Sequence, residues 1–184
     1  MRNHQRFCLL LMTAAMGCAS AFQPLERQSD FAQYFTLRLA DRTEQAKLQG
    51  ARLFGAEIEL QRLSDGYRGQ VRGGLVDLRS GGGKIFGSVA AALTDLHVEG
   101  LADEIFISGL YAGRLGELTV APERIKGTIG ACSYDLGRHP DQTWYVGQRS
   151  CLGQITSAQL AVPAALAARR PDERALLLAV FLGS

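Results

Sequence analysis

Two histidines lie beyond the N-terminal segment, and one of them has acids close by. His139 stands in GRHPDQ, between Asp135 and Asp141. A carboxylate near an imidazole can orient it and favour its charged form, as a general base requires. His139 with Asp135 or Asp141 is therefore the acid–base candidate of this chain. A polar, proline-containing hairpin tip accounts for the same residues without chemistry, and it is the preferred reading. His97 lies between Leu96 and Val98, so a strand there turns it away from the core. Four acids, Asp77, Asp95, Glu117 and Asp135, recur at one position of a repeated motif. Across a sheet they form either a cation site or a solvated stripe paired with Arg72, Arg79, Arg114 and Arg138. The stripe is preferred. Trp144 and Tyr145 precede Arg149 and Cys151 in QTWYVGQRSC. If exposed, Trp144, Tyr145, Arg149 and His139 form a recognition patch, because aromatic and arginine side chains anchor interfaces. Otherwise the aromatic pair packs over a neighbouring disulfide.

The familiar catalytic and cofactor patterns are missing from the sequence. It has no G-x-S-x-G elbow, no G-x-G-x-x-G opening a helix, no H-E-x-x-H and no EF-hand loop. Gly81-Gly82-Gly83-Lys84 resembles a phosphate loop, but Ile85 follows the lysine where Ser or Thr is needed. These glycines are expected to form a hairpin turn. No cofactor, metal or catalytic residue is expected. An enzyme built on His139 is the second alternative to the leading reading.

Charge narrows the partners. Twenty basic residues face 18 acidic ones. The excess sits at Arg2 and Arg6, so the chain from Cys18 onward is neutral. A neutral domain gives no electrostatic capture of nucleic acid.

Residues 1–20, MRNHQRFCLLLMTAAMGCAS, have the build of an export signal: two arginines, a short apolar run, then small residues. Ala15-Met16-Gly17-Cys18 resembles the lipobox of bacterial lipoproteins, with Ala15 where that pattern usually has Leu, Val or Ile. The resemblance implies a signal over residues 1–17, lipid on Cys18 and an anchor linker over 18–30. The competing site is Ala19-Ser20-Ala21, with cleavage after Ala21. The expected location is the bacterial cell envelope, on an outer-membrane anchor facing the periplasm or the surface. Export implies an oxidising compartment, where Cys132 and Cys151 are expected to pair.

The elements that must position these residues are repetitive. YRGQVRGGLVDL (67–78), IFGSVAAALTDL (85–96), ISGLYAGRLGEL (107–118) and IKGTIGACSYDL (125–136) share a glycine at the third place and an acid-Leu ending. Their apolar residues alternate with more polar ones, the period of a strand. Gly69, Gly87, Gly109 and Gly127 leave gaps on one face. Those gaps suit either a ligand cavity or close approach of another backbone. The apolar parity shifts by one in mid-motif, which predicts a β-bulge and hence one long, bent strand per motif. Strands are expected over 31–39, 51–62, 67–78, 85–98, 105–120, 125–136, 143–149 and 154–160. Residues 41–49 read as a short helix or a loop. Pro171-Asp172-Glu173 reads as a helix start, opening a buried helix over 172–182, with a final strand as the alternative for so short an apolar run.

The expected fold is all-β: one domain over 31–184, an antiparallel meander of about eight long bent strands closing as a barrel or sandwich, with a short C-terminal helix. A parallel β-solenoid on the 18–22-residue repeat is the alternative. The leading functional expectation is a non-enzymatic, lipid-anchored envelope protein acting as a binding or structural module. Its partner would be another envelope protein or a second copy of itself. A carrier of a hydrophobic small ligand inside a barrel is the first alternative.

Overall fold

The computed structural model describes residues 33–101, 103–138 and 143–183. The expectations for Cys18, His139 and Asp141 fall outside these residues. Fourteen strands form one closed antiparallel barrel in chain order. They are β1 (Tyr34–Leu39), β2 (Thr43–Gln49), β3 (Arg52–Gly55), β4 (Ile58–Arg62), β5 (Gly66–Val71), β6 (Gly74–Gly81) and β7 (Lys84–Val89). The rest are β8 (Ala92–Leu101), β9 (Glu104–Tyr111), β10 (Arg114–Val120), β11 (Arg124–Ile129), β12 (Cys132–Gly137), β13 (Trp144–Cys151) and β14 (Gln154–Ala161). β1 closes the ring on β14, with Thr36 opposite Ala161 and Leu39 opposite Ala158. A 3-10 turn (Ala164–Leu166) leads to the helix α1 (Pro171–Gly183). The architecture is the all-β barrel with a C-terminal helix; the solenoid alternative is excluded by the antiparallel pairing.

The strand count differs from eight, for a physical reason. Each of the four matched segments is a hairpin rather than one bent strand. Val71 pairs with Gly74 and Val89 with Ala92, around the two-residue turns 72–73 and 90–91. A two-residue turn shifts the inward parity by one, as a bulge does. Both central residues have positive φ at Arg72-Gly73, Ala90-Ala91, Ala112-Gly113 and Leu152-Gly153, which matches the twist of the paired strands. Residues 43–49 are likewise strand β2, not helix or loop. Only Ala46 and Leu48 of it are fully buried, so its apolar signal is faint.

A barrel's diameter grows with its strand number, and fourteen strands enclose more space than wall side chains can fill. Here α1 fills it. Leu176, Leu177, Leu178, Val180, Phe181 and Leu182 are all buried, although they point in every direction around the helix. A helix apolar on all sides is one surrounded by protein. It packs against β6, β7, β8, β9 and β11, and Phe181 meets Phe35 with ring centroids 5.1 Å apart.

The helix runs from one rim to the other. Pro171 lies against Gly100 at the helix-start rim, beside the turn between β8 and β9. Gly183 lies against Gly130 at the opposite rim. That second rim carries turns 72–73, 90–91, 112–113, 130–131 and 152–153, and is called the turn rim below.

One carboxylate locks the helix start to the wall. Glu173 is 3% exposed. It accepts from the Tyr67 hydroxyl at 2.7 Å, from Arg62 at 3.1 Å and from Arg169 at 3.0 Å. Removing one member of a buried charged cluster leaves the others uncompensated. Glu173→Leu is expected to cost about 3 kcal/mol or more, read as a lower urea midpoint with unchanged m-value.

Candidate binding site

Period-two alternation along β13 points Tyr145, Gly147 and Arg149 inward and Val146 and Gln148 outward. Arg149 is thus placed inside the barrel wall, and it is only 6% exposed. Its Nε donates to the Tyr134 hydroxyl at 3.1 Å, and that hydroxyl donates to the Leu182 carbonyl at 2.6 Å. The chain Arg149–Tyr134–Leu182 satisfies a carbonyl at the end of α1 and places a cation where the helix dipole is negative. Burial pushes the Tyr134 phenol above its usual range, against the lowering pull of Arg149.

An open cleft of about 480 Å³ lies over this point at the turn rim. Arg149, Arg72 and Arg42 line it together with Thr156, Gln154 and the Cys132–Cys151 disulfide. Leu39, Ala40, Ala131 and Leu152 supply its apolar part, and Gly183 of α1 its floor. Arg72 and Arg42 are already engaged. Arg72 bonds Glu57 at 2.9 Å and Glu44 at 3.0 Å, and Arg42 bonds Glu44 at 2.8 Å and Asp41 at 3.3 Å. Arg149 differs: among the described residues its terminal amines have no acceptor.

The disulfide joins facing residues of β12 and β13, as expected. Closing a loop of about 20 residues stabilises by roughly 3 kcal/mol in the chain-entropy view. It also ties the two strands that carry Tyr134 and Arg149.

The expected recognition patch is not one place. Trp144 and Tyr145 begin β13 at the helix-start rim, whereas Arg149 lies five residues on, toward the turn rim. Tyr145 is buried and donates its hydroxyl to the Ala121 carbonyl at 3.1 Å. Arg138 stacks over its ring at 4.9 Å, and Arg38 over Trp144 at 4.5 Å. The aromatic pair is therefore distant from the disulfide it was expected to cover.

At the four motif glycines the adjoining backbone comes close. A Cβ at Gly69, Gly87, Gly109 or Gly127 would strike the carbonyl oxygen of Glu59, Asp77, Asp95 or Glu117 on the adjoining strand. These glycines let neighbouring backbones converge.

The acidic row is on the outer face. Asp77 bonds Arg68 at 2.6 Å and lies 3.6 Å from Arg79, and Asp135 bonds Arg124 at 2.8 Å. Arg72 and Arg138 are instead drawn to Glu44 and Tyr145. Among the described residues no three His, Cys, Asp or Glu side chains converge as a metal site would need.

A tyrosine titration would report on this interior. Burial raises Tyr67, Tyr111, Tyr134 and Tyr145 above the ordinary value of 10.0. Each folded phenol keeps its proton where the unfolded one loses it. The stability they contribute is full below pH 10 and is lost as pH rises above it. In a Tyr34→Phe variant, which keeps only these four phenols, phenolate absorbance is expected to appear together with the loss of circular dichroism in an alkaline titration. Phenolates forming before the fold is lost would contradict the burial.

No protein-family model, curated protein or solved structure matches this chain.

Proposed function

We propose that the chain is an exported, lipid-anchored protein of the bacterial cell envelope that acts as a binding module rather than an enzyme. One observation carries the binding part: α1 fills the lumen, while the turn rim holds an open cleft floored by that helix and lined by a buried arginine. Binding at the rim replaces the carrier reading, in which a hydrophobic ligand would lie inside the barrel. The export and anchoring part rests on Arg2, Arg6, the apolar run and Cys18, and is supported by a disulfide that needs an oxidising compartment.

A second reading, association with a protein partner or with itself, is favoured by the outer side of the same rim. Leu75, Leu93, Leu115 and Ile155 each take the second place of a strand leaving a rim turn, and all are exposed. Leu115 reaches 81% and Leu75 68%.

Expression of the full chain in a Gram-negative host fed a labelled fatty acid tests the proposal. Label is expected on the wild type and absent from Cys18→Ser. A native mass spectrum of the domain from Phe22 onward then separates the readings. A co-purifying small molecule supports the cleft, and a defined oligomer supports the apolar ring. Unlabelled wild type retained in the cytoplasm would overturn the envelope assignment.

A further inference from the structure

The turn-rim cleft carries a ligand chemistry. We propose that it binds the oxyanion head, carboxylate or phosphate, of a small molecule with an apolar body, and that the terminal amines of Arg149 hold that head. The inference rests on the reading of this rim as a binding site.

Arg149 has donors that no side chain or backbone group of the described residues takes up. A guanidinium offers five N–H groups in a planar fork. At Arg149 the Nε–H is committed to Tyr134. The two terminal amines remain, and the residue is 94% removed from solvent, being 6% exposed. Among the described residues the buried polar atoms without a partner are Thr36 Oγ1, Asp77 Oδ1, Tyr111 OH and Arg174 Nε, so the Arg149 amines are not sealed off but open onto the cleft, where a ligand oxygen can accept from them. Among the described residues no nearby carboxylate is left for them: Glu44, Glu57 and Asp41 are held by Arg42 and Arg72. The remaining edge of Arg149, two parallel N–H groups, matches the two oxygens of a carboxylate or phosphate.

The surroundings agree with this edge. The cleft lining contains three arginines and one acid, Asp41, whose charge is paired with Arg42. Thr156 and Gln154 offer neutral hydrogen-bonding groups beside the head. Leu39, Ala131, Leu152 and the disulfide face the part of a ligand that leaves the head. Arg149 is also fixed in advance, because Tyr134 holds its Nε and the Cys132–Cys151 bond holds the strand pair. Such an arginine loses little freedom on binding.

Arg149 has a structural task too, through Tyr134 to the end of α1, so the test must separate the two. Octanoate and inorganic phosphate serve as probes in calorimetric titrations, with side-chain ¹⁵N spectra of the arginine Nε–H groups. The folded domain from Phe22 is used as wild type, Arg149→Lys, Arg149→Gln and Tyr134→Phe. Wild type is expected to saturate with at least one probe and to shift the Arg149 signal. Arg149→Lys keeps a charge but loses the fork. Its binding is expected to fall about tenfold or more, the size of a lost charge-assisted hydrogen bond. Tyr134→Phe removes the link to the helix but keeps the fork, so it should lower thermal stability more than affinity. Tighter binding of octanoate identifies a carboxylate head, and tighter binding of phosphate a phosphate one. Arg149→Lys and Arg149→Gln binding as tightly as wild type would overturn the proposal. So would a wild type that neither probe saturates. A different molecule co-purifying with the domain would in that case still support the broader binding reading.

Discussion

A chain ending at residue 170 is expected not to fold. Removing α1 deletes Leu176, Leu177, Leu178, Val180, Phe181 and Leu182 from the centre of the barrel, where each is buried. Burying side chains of this size stabilises by about 1.5–3 kcal/mol each, so the six amount to roughly 9–18 kcal/mol. The net stability of a whole domain is about 5–15 kcal/mol. The inward residues of the wall share one core cluster with α1, so removing the helix opens that cluster. A graded version keeps the chain whole. Phe181→Ala removes the ring that packs on Phe35 and is expected to cost about 3–5 kcal/mol. Circular dichroism and denaturant titration read both. A truncated chain with native strand signal and a cooperative transition would show that the barrel stands without its helix.

Gly127→Ala is expected to cost about 3 kcal/mol or more, a large effect for one methyl group. Two causes add. The residue has φ of 130°, in the region that L side chains rarely adopt. The new Cβ would also strike the Glu117 carbonyl oxygen and come within 2.9 Å of Leu118 Cα. Both obstacles are backbone, so no rotamer change relieves them. Gly87→Ala meets the same fate against Asp77. Gly137→Ala is the control: it lies in β12, no atom of the described residues stands within 4 Å of its Cβ position, and its φ is ordinary. It should shift stability by no more than about 0.5 kcal/mol. Equal losses at Gly127 and Gly137 would mean that the close approach between β10 and β11 is not what the glycine provides.

Much of the fold was legible in the residues. The turns at 63–65, 82–83 and 121–123 lie in stretches rich in Ser, Asp, Gly and Pro, and Pro171 opens α1. The number of strands was not legible. Ala90-Ala91 and Leu152-Gly153 are tight turns with positive φ, yet neither has the Asn-Gly or Asp-Gly composition that announces one. The one-residue parity shift they cause is the same shift a bulge causes, so the pattern alone leaves both open. β2 was hidden for another reason: in TEQAKLQ only Ala46 and Leu48 are apolar and inward.

The candidate site was half legible. Spacing and compartment gave the Cys132–Cys151 pair. Arg149 was visible as an arginine near an aromatic pair, a grouping the strand then pulls apart. The better signal was its parity. A charged residue at an inward position of β13 needs a partner or a task, and that signal depends on knowing where the strand begins. Arg42 and Arg72 could not be placed beside it from sequence. They sit 107 and 77 positions away, and only closure of β14 on β1 brings these strands to one rim.

α1 acts as the core of the barrel and not as a removable plug in a ligand chamber. Native-state hydrogen exchange of the α1 amides tests it most directly. Residues 175–182 are expected to exchange only through global unfolding, with the same free energy and denaturant dependence as the wall strands β7 and β9. Exchange of α1 through a smaller opening, while those strands stay protected, would contradict it and would return the lumen to the list of binding sites.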